Sequence, residues 1–532
     1  MFKKNKNKFF DFKLLNQVDI GALEGETDHF LREDTFIITA SIAKALNCNK
    51  YNYIVGSFGS GKSAFFKAVQ KKYIVNHSNE HNKKFFKNKN IICLNESFKL
   101  DSNVTNHNQL SQEIIIINWS IYLLKVLISD IINNHKEKKG YNEFVSELSF
   151  YEELKSDFDL HTIKDWIKKT RIEPAITISG TPIKLALNLK LPTTRKEINL
   201  NYIYKIVNEF YEKNDLNTWI LIDRIDDFVR FSNYEKRKVY IQALHEVVEE
   251  IRTFLNIRPM LFLREDLFKS IYFTTGTMKV KDRVIYLTWT SEEILNFLFR
   301  RVCHQKIFID YNNHFQRIIN NNKNTSKLKN LIFSIFVKLK LKENKKYNSF
   351  EHKLVKELLF LILPPVVKIN GQLLEFEDML NNFLLDRDFI NPRVIICFIN
   401  MLNEKQYNYY LNNPPEYSNK KLGIIKKVKE YETLNIYTNN CIKDSLVYTK
   451  TLLLEHIQGI FPDKNIKFKN IFFKIDDVIQ KTNNLEESKI FNLLKFDLSV
   501  QQIKFVIHYL LVVKYFYRKG KTYQLSNVYK KA

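Results

Sequence analysis

Through roughly the first 300 residues, short apolar runs bounded by polar turns alternate with longer stretches whose apolar residues recur at helical spacing. Continuous runs suit strands buried on both faces, and their alternation with helices predicts an α/β domain built on a parallel sheet. Five runs are strand candidates: Tyr51 to Gly56, Ile91 to Asn95, Thr218 to Asp223, Arg258 to Arg264 and Arg283 to Trp289. A long insertion, residues 135–215, separates the second from the third. Within it Ile176, Ile178, Ile183, Leu185, Leu187 and Leu189 alternate with other residues around Gly180-Thr181-Pro182, a hairpin signal in an otherwise helical stretch.

After Trp289 strand signals fade, and helical periodicity runs to about Asn400 with a polar loop at Asn320 to Lys323. Pro414 and Pro415, inside Asn412 to Lys421, mark a linker, with Gly423 close by. Beyond it, Leu498 to Leu511 has helical spacing and leads into Val512 to Arg518, a Lys519-Gly520-Lys521 turn and Thr522 to Leu525. That is the outline of a helix followed by a two-stranded wing. The organisation predicts an α/β core over residues 1–300, a helical region over 301–411 and a winged-helix-like domain over 422–532. Ile114 to Ile132 is the most apolar segment, yet Asn118, Lys125 and Asp130 interrupt it, so it predicts a buried core helix and no membrane span.

Length and composition agree with two or three domains: 532 residues, 45% hydrophobic. The 83 Lys+Arg against 58 Asp+Glu give a formal charge of +25, which would attract nucleic acid, acidic proteins or an anionic surface. Lys and Asn are abundant from end to end, so the same charge also fits a coding bias with no partner behind it. Cys48, Cys93, Cys303, Cys397 and Cys441 are scattered singly, which points away from a disulfide framework or zinc ribbon and towards a reducing cytoplasm. The basic N-terminus lacks the apolar run and cleavage site of a signal peptide.

The chemistry concentrates at Gly56-Ser57-Phe58-Gly59-Ser60-Gly61-Lys62-Ser63, a GxxxxGKS pattern that directly follows an apolar strand and precedes a helix beginning near Ala64. The glycines let backbone N–H groups turn inward around phosphates, and the helix N-terminus adds its positive dipole. Lys62 would meet the β- and γ-phosphates of a nucleotide such as ATP, and Ser63 would ligate Mg²⁺. The competing reading is a glycine turn with a chance lysine, and the flanking strand and helix argue against it.

A magnesium nucleotide also needs an acid at the end of a neighbouring strand, and Trp219-Ile220-Leu221-Ile222-Asp223 supplies one. Asp223 is therefore the expected metal-side residue. Asp227, with Asp226 second, is the expected group to polarise the attacking water. Both acids would also serve to cap a helix beginning near Phe228. The next strand ends in Arg264-Glu265-Asp266, where Arg264 would either report the charge at the γ-phosphate or pair with Asp223 or Asp266.

The loop, Trp219 to Asp227, Arg258 to Phe268 and Leu287-Thr288-Trp289 occur in an order that resembles the additional-strand P-loop ATPases near the AAA+ and STAND groups. Within these the chain looks most like the stand-alone bacterial P-loop ATPases. The resemblance extends to Gly21-Ala22-Leu23-Glu24-Gly25-Glu26 ahead of the core and, more loosely, to the tail ending Leu525-Ser526-Asn527-Val528-Tyr529. It implies the sheet order 5-1-4-3-2 and a helical lid after the fifth strand. It also makes Arg393, in Asn391-Pro392-Arg393, the lid arginine that reaches the nucleotide, although Pro392 is equally ordinary first-turn chemistry. The chain departs from the AAA+ pattern in having Asp223-Arg224 where Asp-Glu is usual, which leaves the base assignment open. Arg252, Arg300 and Arg301 are the candidates for an arginine acting on a neighbouring subunit's nucleotide.

Other motifs carry less. His77-Ser78-Asn79-Glu80-His81 matches an inverted zinc-peptidase pattern but sits in a polar connection without a third ligand, and Cys303-His304 has no ligand spacing. The tail interleaves Lys504, Lys514, Arg518, Lys519, Lys521, Lys530 and Lys531 with aromatic residues, which suits DNA or RNA contact but also internal packing. The expected function is an ATP-hydrolysing switch that controls a homo-oligomer or a partner effector protein. Relatives of this class are frequent in bacterial antiviral defence. A nucleic-acid-dependent motor or loader and a non-hydrolytic ATP-bound scaffold are the alternatives.

Overall fold

The computed structural model describes residues 12–22, 27–32, 35–73, 88–94, 112–149, 188–190, 197–225, 234–269, 280–303, 366–369, 372–375, 378–380, 391–413, 437–459, 466–482, 484–513, 515–520 and 522–526, with single positions at 271, 305, 384, 461 and 529. The chain divides into two compact units, both discontinuous in sequence. One joins Lys44–Val55 to Glu80–Tyr286, and the other joins Met1–Ala43, Gly56–Asn79 and Leu287–Ala532.

The first unit is built on the sheet. The first seven strands are β1 (Tyr53–Gly56), β2 (Lys89–Leu94), β3 (Asn188–Lys190), β4 (Glu197–Asn199), β5 (Asn217–Ile222), β6 (Ile257–Arg264) and β7 (Val284–Tyr286). Five of them form one all-parallel sheet in the order β2-β5-β6-β1-β7. In sequence order of those five strands this is 5-1-4-3-2, the order expected. The register sets Cys93 beside Leu221, Ile220 beside Pro259 and Tyr53 beside Val284. The hairpin expected around Gly180 lies mostly outside the described residues; the antiparallel pair found there is β3 with β4, further along the chain.

Trp219 to Ile222 are fully buried, as the apolar run requires of a strand covered on both faces. Ile220, Ile222, Leu261 and Leu263 face a core completed by Trp119, Leu123 and Leu127 of the helix Gln112–Asn134, by Ile203, Val207 and Tyr211 of Leu200–Lys213, and by Ile241, Leu244 and Val248 of Tyr234–Ile251. Each such side chain contributes about 1.5–3 kcal/mol of burial. Among the described residues, Ile115–Asn134 is the one stretch long and apolar enough to cross a membrane, and it lies mostly buried in this core. On the opposite face, the Trp219 ring meets the Arg258 guanidinium at 4.5 Å and the Lys89 ammonium at 5.1 Å.

Pro259 sits in a central strand, where a missing N–H normally costs a ladder bond. Here Leu261 N donates to Asn52 O, so Pro259 faces the chain before β1 begins. Asn52 Nδ2 donates to the Pro259 carbonyl at 2.9 Å, which satisfies that acceptor. Arg258 beside it donates to the carbonyls of Cys48 at 2.9 Å and Tyr51 at 2.8 Å, just past the helix Ala40–Asn47, where a cation complements the helix dipole.

The second unit holds two cores. In the first, the short helix Phe12–Gln17 and the helices Ser291–Cys303, Pro392–Asn412 and Asn439–Gly459 share Leu15, Ile20, Leu298, Val394, Phe398, Leu402, Ile442 and Leu446. A fully buried ion pair, Arg301 with Asp28 at 2.5 Å, ties the N-terminal segment down, and Arg301 also donates to Ile20 O. Residues 301–411 are not purely helical: β8 (Val366–Ile369) pairs antiparallel with β9 (Gln372–Glu375). The two residues between these strands are Asn370-Gly371, the strongest short hairpin signal a sequence carries.

The second of these cores lies near the C-terminus. Helices Phe468–Thr482, Glu487–Leu494 and Val500–Val512 pack on a three-stranded sheet of β10 (Asn484–Glu486), β11 (Phe516–Lys519) and β12 (Thr522–Leu525), ordered β10-β12-β11. The third helix starts as its sequence dictates, with a capping box in which Ser499 and Gln502 satisfy each other's backbone N–H groups. Gly520, with φ +62°, takes the turn between β11 and β12.

Under the sheet, His245 Nδ1 lies 2.6 Å from Tyr53 Oη and donates to it when Tyr53 Oη donates to Glu249, which also receives Arg283 at 2.8 Å. Burial lowers the His245 pKa from 6.5 to about 4. The unfolded chain therefore takes up a proton near pH 6.5 that the folded protein refuses until about pH 4. Stability should fall as pH drops through that window, by about 3 kcal/mol. Urea midpoints measured at pH 7, 5.5 and 4.5 should show the loss, and His245→Gln should flatten it.

Candidate functional site

The Gly56–Ser63 loop leaves the carboxyl end of β1 and enters the helix Lys62–Gln70. Gly59 (φ +79°) and Gly61 (φ +97°) occupy the left-handed region, which L side chains adopt at a cost. Gly61 is also the N-cap, and no side chain caps that helix end. Its first-turn N–H groups, at Lys62 and Ser63, keep the positive end of the dipole.

The loop's carbonyls are engaged almost throughout. Lys62 Nζ donates to Gly56 O and to Ser57 O, both at 2.8 Å. Asn391 Nδ2 donates to Phe58 O at 3.1 Å, Trp289 Nε1 donates to Ser60 O at 2.8 Å, and Phe65 N donates to Gly61 O at 2.9 Å. With five carbonyls taken, the polar groups that remain to the loop are chiefly N–H donors. Ser60 is 3% exposed, and its Oγ has no hydrogen-bond partner among the described residues.

Two aromatic contacts complete the surroundings. The Arg393 guanidinium lies 4.2 Å above the Phe58 ring, and Trp289 packs edge-on against Phe297. A Cβ on Gly59 would stand 2.8 Å from Cγ of Asn391 and nearer still to its amide atoms. Arg393 thus reaches the expected loop. Asn391 and Trp289 contact it too, and no expectation assigned them; the signal for Asn391 was its place ahead of Pro392 and Arg393.

No known protein family matches this sequence, and no similar curated protein is found. The assignment of each residue therefore rests on its own geometry.

Asp223 directly follows β5 and is 4% exposed, with its N–H donating to Leu94 O at 3.1 Å. Arg264 ends β6 and donates through Nε and Nη2 to Asp266 at 3.1 and 2.8 Å, which is the pairing foreseen as its structural role. Both strands run parallel to β1, so these residues stand at the sheet edge where β1 ends. Between β5 and the acids beyond it, Arg224 adopts φ +58°, a strained value for a non-glycine residue. Asp226 and Asp227 lie outside the described residues. Of the arginines considered for action in trans, Arg301 is committed to Asp28, and Arg252 donates to Glu249.

The glycines can be told apart by experiment. Gly59→Ala meets both a left-handed backbone and the Asn391 amide, whereas Gly520→Ala meets the backbone alone, with nothing within 4 Å of its Cβ. Gly520→Ala should cost about 1 kcal/mol and Gly59→Ala about 2–3 kcal/mol, read as the difference in urea midpoint between the two variants.

Proposed function

We propose that the chain binds ATP with magnesium at the Gly56–Ser63 loop, hydrolyses it, and uses the nucleotide state to switch a homo-oligomer or a partner protein in a reducing cytoplasm. What supports this most directly is the loop itself. Its carbonyls are tied to Lys62, Asn391, Trp289 and Phe65, its glycines hold φ values that open a cradle, and an uncapped helix N-terminus follows. That donor set fits a chain of phosphates and no neutral ligand equally well.

In this reading Lys62 exchanges its loop carbonyls for the β- and γ-phosphate oxygens. Ser63 Oγ and the Asp223 carboxylate would hold the magnesium, whose charge would offset that of the phosphates. Asp227, or Asp226, accepts a proton from the water that attacks the γ-phosphorus as the bond to the bridging oxygen breaks. Arg264 turns from Asp266, and Arg393 from Phe58, to meet the phosphate charge. The five-stranded sheet order supports placing the chain among the additional-strand P-loop ATPases, with the helices after β7 as the lid. The C-terminal order of helix, strand, two helices and hairpin is read as a winged helix.

A second reading takes DNA or RNA as the stimulus, because Lys504 on the third C-terminal helix and Arg518 and Lys519 on β11 are exposed. Nucleic acid that raises ATP turnover, with an affinity that collapses on adding salt, would favour that reading.

Lys62→Ala should abolish nucleotide binding, and with it turnover, because the variant lacks the cation that meets the β- and γ-phosphates. Asp227→Asn should bind ATP with near wild-type affinity while turnover falls by about 10²–10⁴. Titration calorimetry and phosphate release measure the two quantities, and Lys62→Ala binding ATP as well as wild type would defeat the assignment.

A further inference from the structure

Asn391 performs two tasks with one side chain. Its Oδ1 accepts from Arg393 N at 2.9 Å, capping the helix Pro392–Asn412, while its Nδ2 donates to Phe58 O at 3.1 Å. Asn is among the best N-caps, and Pro392 at the first position has no N–H to satisfy. The residue is 5% exposed, and the absence of a side chain at Gly59 lets it come this close. A shift of the Phe58 peptide therefore has to move the Asn391 amide plane or break a bond to it, and that plane is also the start of the helix.

The helix is well placed to carry such a shift. Val394, Ile395, Phe398, Ile399 and Leu402 bury one of its faces in the core shared with Ser291–Cys303 and Asn439–Gly459. Trp289 makes the complementary tie: its indole N–H holds Ser60 O two residues ahead of the helix Ser291–Cys303. Trp289 holds the loop without capping a helix, so it fixes the loop and leaves the start of Pro392–Asn412 untouched.

We propose that Asn391 is the positioning residue that couples phosphate occupancy of the loop to the helix Pro392–Asn412, through the Phe58 carbonyl. The inference rests on the reading of the loop as a nucleotide site. An anion received by the loop N–H groups reorients the peptides that carry them. The Phe58 carbonyl moves with its peptide, and Asn391 transfers the motion to the first turn of the helix. Arg393 adds charge recognition, but the mechanical link is the neutral amide.

The test uses the full chain and three variants. Asn391→Ser keeps a strong N-cap but loses the donor to Phe58 O; Asn391→Asp keeps the cap and puts an acceptor where the donor stood; Trp289→Phe releases Ser60 O and leaves Asn391 intact. Two readouts are taken: ATP affinity by calorimetry, and the change that saturating ATP makes in amide hydrogen exchange over residues 392–399. Wild type should bind ATP and show the exchange change. Asn391→Ser should melt within about 2 °C of wild type, bind ATP about tenfold more weakly, as loss of one hydrogen bond allows, and show no exchange change at saturation. Asn391→Asp should weaken binding further. Trp289→Phe should lose affinity yet keep the exchange change. If wild type binds ATP and Asn391→Ser keeps its exchange change at saturation, the coupling is wrong while the nucleotide site stands. If wild type binds no ATP, both fall together.

Discussion

The loop Gly56–Ser63 must find partners for its own carbonyls, and that requirement governs the contacts around it. The carbonyls of Gly56, Ser57, Phe58, Ser60 and Gly61 all need donors, because a buried unpaired carbonyl costs about as much as a lost hydrogen bond. The chain finds those partners in three places: within the loop from Lys62, within the helix from Phe65, and from the distant residues Trp289 and Asn391. The last two come from positions more than 200 residues away in sequence. A P-loop motif read by itself is a local statement; the loop found here closes only when the helical region supplies two of its donors.

The sheet and the helical region solve their polar problems differently. In the sheet unit, buried polar groups are paired densely: Arg258 holds the carbonyls after the helix Ala40–Asn47, and Asp130 receives Asn90, Asn134 and Tyr211. In the helical region, polar side chains sit within an otherwise apolar seam beside Pro392–Asn412. Gln406 Oε1 accepts from Thr438 N at 2.7 Å and Asn403 Oδ1 accepts from Tyr437, while Gln406 Nε2 and Asn403 Nδ2 are buried with no hydrogen-bond partner among the described residues. Each unpaired group costs about 1–3 kcal/mol.

The sequence made the sheet legible because each of its strands carries a short apolar run, such as Trp219 to Ile222 or Met260 to Leu263, as strands covered on both faces do. Strand edges shifted by one to three residues, since end residues such as Tyr51 and Trp289 are apolar for packing and not for pairing. The hairpin Val366–Ile369 with Gln372–Glu375 was passed over because its neighbours have helical period, although Asn370-Gly371 announced it. β10, only three residues long, has no periodicity to detect. At the site, a resemblance pointed to Arg393, and the loop motif could be read from local pattern. Asn391 as a loop ligand could not, because its role depends on a fold that brings residue 391 to residue 58. Arg264 shows the opposite limit: two partners were conceivable from sequence, and proximity decided for Asp266.

Asp223 and Arg224 mark the point where the chain leaves the sheet. Asp223 is fixed by the sheet, for its N–H belongs to the ladder with Leu94 and its side chain is buried. One residue later the chain leaves the sheet through a left-handed Arg224, a conformation costing about 1–2 kcal/mol that an unconstrained loop would relax. A group that holds a metal must not move, whereas a group that takes a proton must approach only when water is in place. Ending the ladder at Asp223 and turning sharply at Arg224 keeps Asp223 on the strand, where the proposed metal-side role would need it. In an arrangement with Asp and Glu adjacent, both acids would stay on the strand. Here Arg224 and Ile225 intervene in the sequence before the next acids, so the two proposed roles would fall on different parts of the chain.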